Sequence, residues 1–259
     1  LRTLCVLIML ASMLLPETGW AFLLPAKKVL DLVAKTNSKR NGLAVTQTAV
    51  YYDPVFPGGK VSVSSRLYLK PPNKMRIESD FPGGSFIVIT SGDSALTLVG
   101  NRVLEKNPPA IRDEIVFRDI LLATSSIMLE NILKKRGIEP LSSRITILDR
   151  RLAYIIGRDF TKDGSFLWVD HDIFAPLRIK GLDENRVFEV RFSGYKSPGE
   201  GPVYPDSVEF LDNGKTVVEL KTHVVNFSAY LPDSLFDIDG IRRSTREINK
   251  GDQPFKELR

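Results

Sequence analysis

A chain of 259 residues with 43% hydrophobic and 26% charged residues carries enough apolar content for one large domain or two small ones, and this composition excludes a disordered chain. Its net charge of +5 is spread, with Lys and Arg interleaved among Asp and Glu, which argues against nucleic-acid binding, where basic residues cluster. Cys5 is the only cysteine and lies in the apolar N-terminal stretch, so the rest of the chain forms no internal disulfide.

Residues 1–21 read as a secretory signal peptide: Arg2, an apolar run over 4–15, and a small-residue exit at Gly19-Trp20-Ala21. The run is shorter than the roughly 20 residues that span a bilayer. Cleavage near Ala21 and export to a bacterial periplasm are expected. Over 26–36, Val29, Leu32 and Val33 fall at helical spacing with Lys27, Lys28, Asp31 and Lys35 elsewhere on the wheel, which predicts an amphipathic helix. A first strand follows over 43–52. Over 61–70 the pattern alternates, with Val61, Val63, Ser65, Leu67 and Leu69 on one face and Arg66, Tyr68 and Lys70 on the other.

The segments 86–90 (FIVIT) and 96–99 (LTLV) are apolar on both faces, so these strands are either covered on both sides or line an apolar cavity. A second, strongly apolar helical stretch is predicted over 112–136, broken at Thr124-Ser125-Ser126, with Ser126 as the expected cap of its second part. Lys134-Lys135-Arg136-Gly137 closes it with cations at the negative end of the dipole and a glycine for the left-handed position. From 144 onward seven strands are separated by short turns, among them Asp149-Arg150 and Asp212-Asn213-Gly214. Residues 231–236 read as a closing helical turn and 241–259 as a polar tail, leaving 22–240 as one domain.

No nucleophile-elbow, zinc-helix, phosphate-loop or dinucleotide fingerprint occurs. Asp170-His171-Asp172 has the residue types of an acid-base or metal site but sits where a polar turn is expected. Glu78 and Asp80 read as charges on a solvated strand face. Trp168 with Phe166, and Phe188, Val190 and Phe192, read as core before ligand cage. Taken together, the apolar faces of several strands and the apolar helices describe a cavity suited to an acyl chain.

The run 67–78 (LYLKPPNKMRIE) and Ile87-Val88-Ile89-Thr90-Ser91-Gly92, in this order of segments, resemble the LolA-type outer-membrane lipoprotein-sorting (carrier) family of the periplasm. The family's turn motif corresponds to Lys70, Pro71, Asn73, Arg76 and Glu78. The resemblance implies an α+β, mainly β fold: a large curved antiparallel sheet forming an incomplete barrel, with helices covering the concave side. It implies a non-enzymatic carrier without cofactor or metal, acting as a monomer on an acylated lipoprotein or lipid between an inner-membrane exporter and an outer-membrane acceptor. On this reading Phe86, Val88, Leu96, Leu98, Phe166 and Trp168 contribute to the cavity wall, and Ile120, Leu121, Met128 and Leu129 to its cover. An envelope sensor on the same scaffold and a hydrolase assembled from scattered residues remain the alternatives.

Overall fold

The computed structural model describes residues 23–82, 84–100, 102–104, 110–158, 160–161, 164–183, 186–195 and 203–251; the expected signal segment lies outside them. Helix α1 (Ala26–Asn37) buries Val29, Leu30, Val33 and Ala34; Leu32, expected with Val29 and Val33, is only half-buried because the buried face is centred between positions 29/33 and 30/34. Six strands follow: β1 (Leu43–Tyr52), β2 (Lys60–Lys70), β3 (Lys74–Phe81), β4 (Gly84–Ser91), β5 (Ser94–Val99) and β6 (Arg102–Leu104). Helices α2 (Ala110–Leu122) and α3 (Ser126–Lys134) come next. Seven further strands complete the sheet: β7 (Ser142–Leu148), β8 (Arg151–Gly157), β9 (Phe166–Asp170), β10 (Pro176–Asp183), β11 (Arg186–Ser193), β12 (Ser207–Asp212) and β13 (Lys215–Asn226). A short 3₁₀ turn (Asp233–Phe236) leads into helix α4 (Ile238–Gly251).

All thirteen strands form one antiparallel sheet in the order β6-β5-β4-β3-β2-β1-β13-β12-β11-β10-β9-β8-β7, which does not close and leaves β6 and β7 at its edges. Each half is a meander whose neighbours are sequence neighbours, and a single long-range seam, β1 against β13, joins them. Short reversals make this order possible. Asp149 and Arg150, at φ 50° and 67°, and Asn213 and Gly214, at φ 48° and 79°, are left-handed at both central positions, the turn geometry that matches the twist of a tight hairpin.

The break in the second helical stretch falls as expected, but its cap is Ser125, not Ser126. The Ser125 hydroxyl oxygen accepts from the Met128 N–H at 3.2 Å, because Ser125 is still extended while Ser126 is already helical and buried. Gly137 has φ 69°, as its place after α3 requires. Where α3 ends, it lands against the sheet so closely that a Cβ on Gly181 of β10 would stand 2.7 Å from the Arg136 carbonyl oxygen.

Three helices cover one face of the sheet, here the inner face. Val116, Phe117, Ile120, Leu121, Leu129 and Leu133 join the buried residues of α1 in one core with Val45, Leu67, Ile77, Val88, Leu167, Ile179, Val190 and Phe210. The fourth helix is a departure from expectation: residues 241–251, read as tail, continue α4, and α4 packs on the outer face. There Ile89, Leu96 and Leu98 meet Leu231, Phe236 and Ile238 in a second core. Covering on both sides, with different helices on each, accounts for the doubly apolar strands β4 and β5.

Candidate functional site

Strand register builds the inner face row by row, since directly paired residues point the same way. Val45, Leu67, Ile77 and Val88 form one row across β1 to β4. The next row reads Gln47, Ser65, Ser79 and Phe86. Two residues further along, Ala49 pairs with Val63, and beyond them lies Tyr51 opposite Val61. At this end half-buried aromatic rings gather. Tyr51 and Phe81 have ring centroids 5.2 Å apart, Phe81 and Phe86 5.9 Å, and Phe56 and Phe81 6.4 Å. They form an aromatic mouth.

Behind the mouth, beneath Phe117 of α2, lies a cavity of about 10 Å³ lined by Gln47, Tyr51, Ser65, Leu67, Ile77, Phe117, Phe210 and Leu220. Tyr51 belongs to both mouth and cavity. The space is about that of one water. Phe117 is the plug: its ring stacks on Phe192 at 6.0 Å and meets Phe210 edge-on at 5.8 Å.

Polar ties fasten the plug at the C-terminal end of α2. Arg40 donates from Nη1 to Leu121 O at 2.8 Å and to Asn37 Oδ1 at 3.1 Å, and from Nη2 to Val203 O at 2.6 Å. Asn37 Nδ2 donates to Ile120 O at 2.7 Å and Ala123 O at 3.0 Å. A guanidinium among helix-terminal carbonyls sits where the dipole favours positive charge. Burial nonetheless lowers the Arg40 pKa from its usual value. Burial likewise holds the neighbouring Tyr195 and Tyr204 hydroxyls far above the usual range, so both stay neutral. Further along α2, Arg118 donates from Nη1 to Thr90 Oγ1 at 2.8 Å and to Gly92 O at 3.1 Å, tying the helix to the end of β4.

The structure sorts the expected wall residues among three places. Phe86 and Val88 lie on the inner face, Phe86 in the mouth itself. Leu96 and Leu98 lie on the opposite face of β5, under α4. By register Phe166 and Trp168 share a face with Arg178 and Lys180 of β10, opposite Leu167 and Val169, and the half-buried Trp168 still packs against the inner core. Trp168 meets Phe166 edge-on at 5.4 Å and is overlaid by the Arg178 guanidinium at 5.2 Å. The expected cover residues come together: Ile120, Leu121 and Leu129 are buried and Met128 is half-buried against the same inner core.

The turn-motif residues, with Lys74, hold the segment 231–235 that leads into α4. Lys70 Nζ donates to Leu231 O at 2.7 Å and to Asp233 Oδ1 at 3.0 Å, and Lys74 reaches the same oxygen at 2.6 Å. Arg76 donates to Glu78 at 2.7 Å and to Leu235 O at 3.1 Å. The Asn73 carbonyl accepts from Gly92 N at 3.3 Å, and Pro71 precedes Pro72 through a cis bond. At Asp170-His171-Asp172 the Asp170 carboxylate accepts the N–H groups of Asp172 and Ile173, which is turn chemistry, and His171 stacks on Tyr154 at 5.1 Å. Gln47, Phe117, Arg40 and Arg118 were not among the expected site residues. Ser65 on an otherwise apolar face was the one sequence signal near them.

No protein-family model matches the chain, and no curated protein does. Among solved structures, it is similar to an outer-membrane lipoprotein-sorting protein domain from Vibrio parahaemolyticus, at TM-score 0.57 and 14% identity over 84% of this chain and 100% of the other. It is similar to a LolA-superfamily protein from Nitrosomonas europaea, at TM-score 0.56 and 13% identity over 84% and 99%. A DUF1329-family protein from Desulfovibrio piger gives TM-score 0.57 and 14% identity over 84% and 99%. The protein thus has the LolA-like fold, an open half-barrel with helices packed on its inner face. Among the described residues, no helix is long and apolar enough to cross a membrane.

Proposed function

We propose that the protein is an exported carrier that shelters the acyl chains of a lipoprotein or a related lipid inside the half-barrel and performs no catalysis. The carrying observation is the aromatic mouth of Tyr51, Phe56, Phe81 and Phe86, which leads along the inner face to the cavity under the Phe117 plug. Each methylene kept from water is worth about 0.8 kcal/mol, so an acylated cargo needs such shelter in transit. A closed cavity of about 10 Å³ admits no chain, so loading requires α2 to lift. The ties at Arg40, Asn37 and Arg118 are then what holds the unloaded state shut.

In this reading the mature chain begins near Phe22, works in the periplasm, and receives and delivers its cargo at inner- and outer-membrane partners. Phe86, Val88, Ile120, Leu121, Met128 and Leu129 belong to the acyl-facing wall and cover. Leu96 and Leu98 support it from behind the sheet. Mass spectrometry of protein purified gently from its own envelope tests the proposal. Co-purified lipoprotein or lipid is expected, displaced by a fluorescent fatty acid. Protein that is lipid-free and fails to take up the fatty acid would overturn the carrier reading.

A further inference from the structure

The row Gln47, Ser65, Ser79 is the anomaly of the inner face. The residues are 1%, 1% and 0% exposed, paired side by side across β1, β2 and β3, and flanked by the apolar row of Val45, Leu67 and Ile77 on one side and by Ala49 and Val63 on the other. Ser79 Oγ donates to Ser65 Oγ at 3.1 Å. Gln47 Oε1 has no hydrogen-bond partner among the described protein groups, and Gln47 lines the cavity. A pure alkyl chain that fills this space leaves the buried carbonyl oxygen unpaired, which costs binding free energy. A group that both donates and accepts suits the row: it gives a proton to Gln47 Oε1 and takes one from a serine hydroxyl. A hydroxyl is such a group.

Depth says where on the ligand that hydroxyl sits. Gln47 lies four residues inward of Tyr51 at the mouth, about 13 Å along the strand. A ligand whose polar head stays at the mouth brings the middle of its chain to this row. We infer that the cavity selects acyl chains hydroxylated at mid-chain, with Gln47, Ser65 and Ser79 as the specificity-determining residues. The inference rests on the carrier reading and narrows its ligand class.

Competition binding with stearate, 12-hydroxystearate and 2-hydroxystearate tests it on the full mature chain. The unaltered protein is expected to prefer 12-hydroxystearate over stearate by about tenfold and to show no such preference for 2-hydroxystearate, whose hydroxyl stays near the head. In Gln47→Leu the preference is lost: affinity for 12-hydroxystearate falls and that for stearate rises. The ligand-free Gln47→Leu protein melts no lower than its parent, because an apolar side chain of similar size leaves no buried polar group to satisfy; Gln47→Met serves if the leucine fails to fold. Equal affinities for the two 18-carbon chains, a preference that survives Gln47→Leu, or a sharply lowered melting temperature in both variants would overturn the inference while leaving the carrier standing. Failure of every acid to bind would bring down the carrier reading itself.

Discussion

Arg40 carries a full charge into the protein, 3% exposed, and spends it on the ends of helices. Its guanidinium is held by three carbonyl oxygens, from the Asn37 side chain and from Leu121 and Val203, while its Nε finds no partner. One side chain therefore links the C-terminal end of α1, the C-terminal end of α2 and the segment before β12. Arg40→Met keeps the length and removes the donors, leaving buried carbonyls unpaired. The expected loss is about 2–3 kcal/mol of unfolding free energy. Hydrogen exchange should rise first in α2, whose opening the plug requires. Faster exchange spread evenly over the sheet would mean that Arg40 supports the fold without latching the plug.

At the scale of elements, α4 shows what an unpaired strand face conceals. The clamp that holds it down meets at Asp233, whose pKa is lowered from 3.8 to about 2 by hydrogen bonds from Lys74 and Lys70. A carboxyl whose folded pKa is depressed contributes its stability above the unfolded value and loses it as pH falls through the folded one. The clamp is thus at full strength above about pH 4 and gone below about pH 2. Exchange in residues 238–245 should climb across that window, and Asp233→Asn should remove the climb. The strands beneath α4 were legible from their turns and spacing, and so was their excess of apolar residues. Period-two alternation separates the residues of a strand into two sets, but does not say which set faces which helix, so Leu96 and Leu98 were expected in the cavity with Phe86 and Val88. Phe166 and Trp168 were expected there for the same reason. The polar composition of 241–259 hid the sparse stripe of Ile238, Ile241 and Thr245 that suffices once a sheet offers Leu96 and Leu98 to pack against. Gln47 was illegible because one glutamine in an alternating strand acquires meaning only from Ser65 and Ser79 beside it.

Over the whole molecule, the sheet is two meanders joined at the β1–β13 seam, where Ala44 pairs with Asn226. Such a seam between distant segments has no local sequence signature, whereas the hairpins do. The order of strands also places the chain between β6 and β7 in an unusual position, for it runs from one free edge of the sheet to the other. Laid flat, thirteen strands would hold those edges about 58 Å apart. Helices α2 and α3, 13 and 9 residues long, measure only about 33 Å end to end. The link also holds fifteen residues outside the two helices (105–109, 123–125 and 135–141), so the edges can move relative to each other while α2 and α3 stay packed on the inner face. On the proposed carrier reading, a ligand that fills the inner face spreads the sheet, and the span between the two rims reports the filling. Spin labels at the exposed Arg102 on β6 and Arg144 on β7 are expected to move apart when the protein is loaded with fatty acid, measured by pulsed dipolar spectroscopy. An unchanged distance would mean that the helices lift away without bending the sheet.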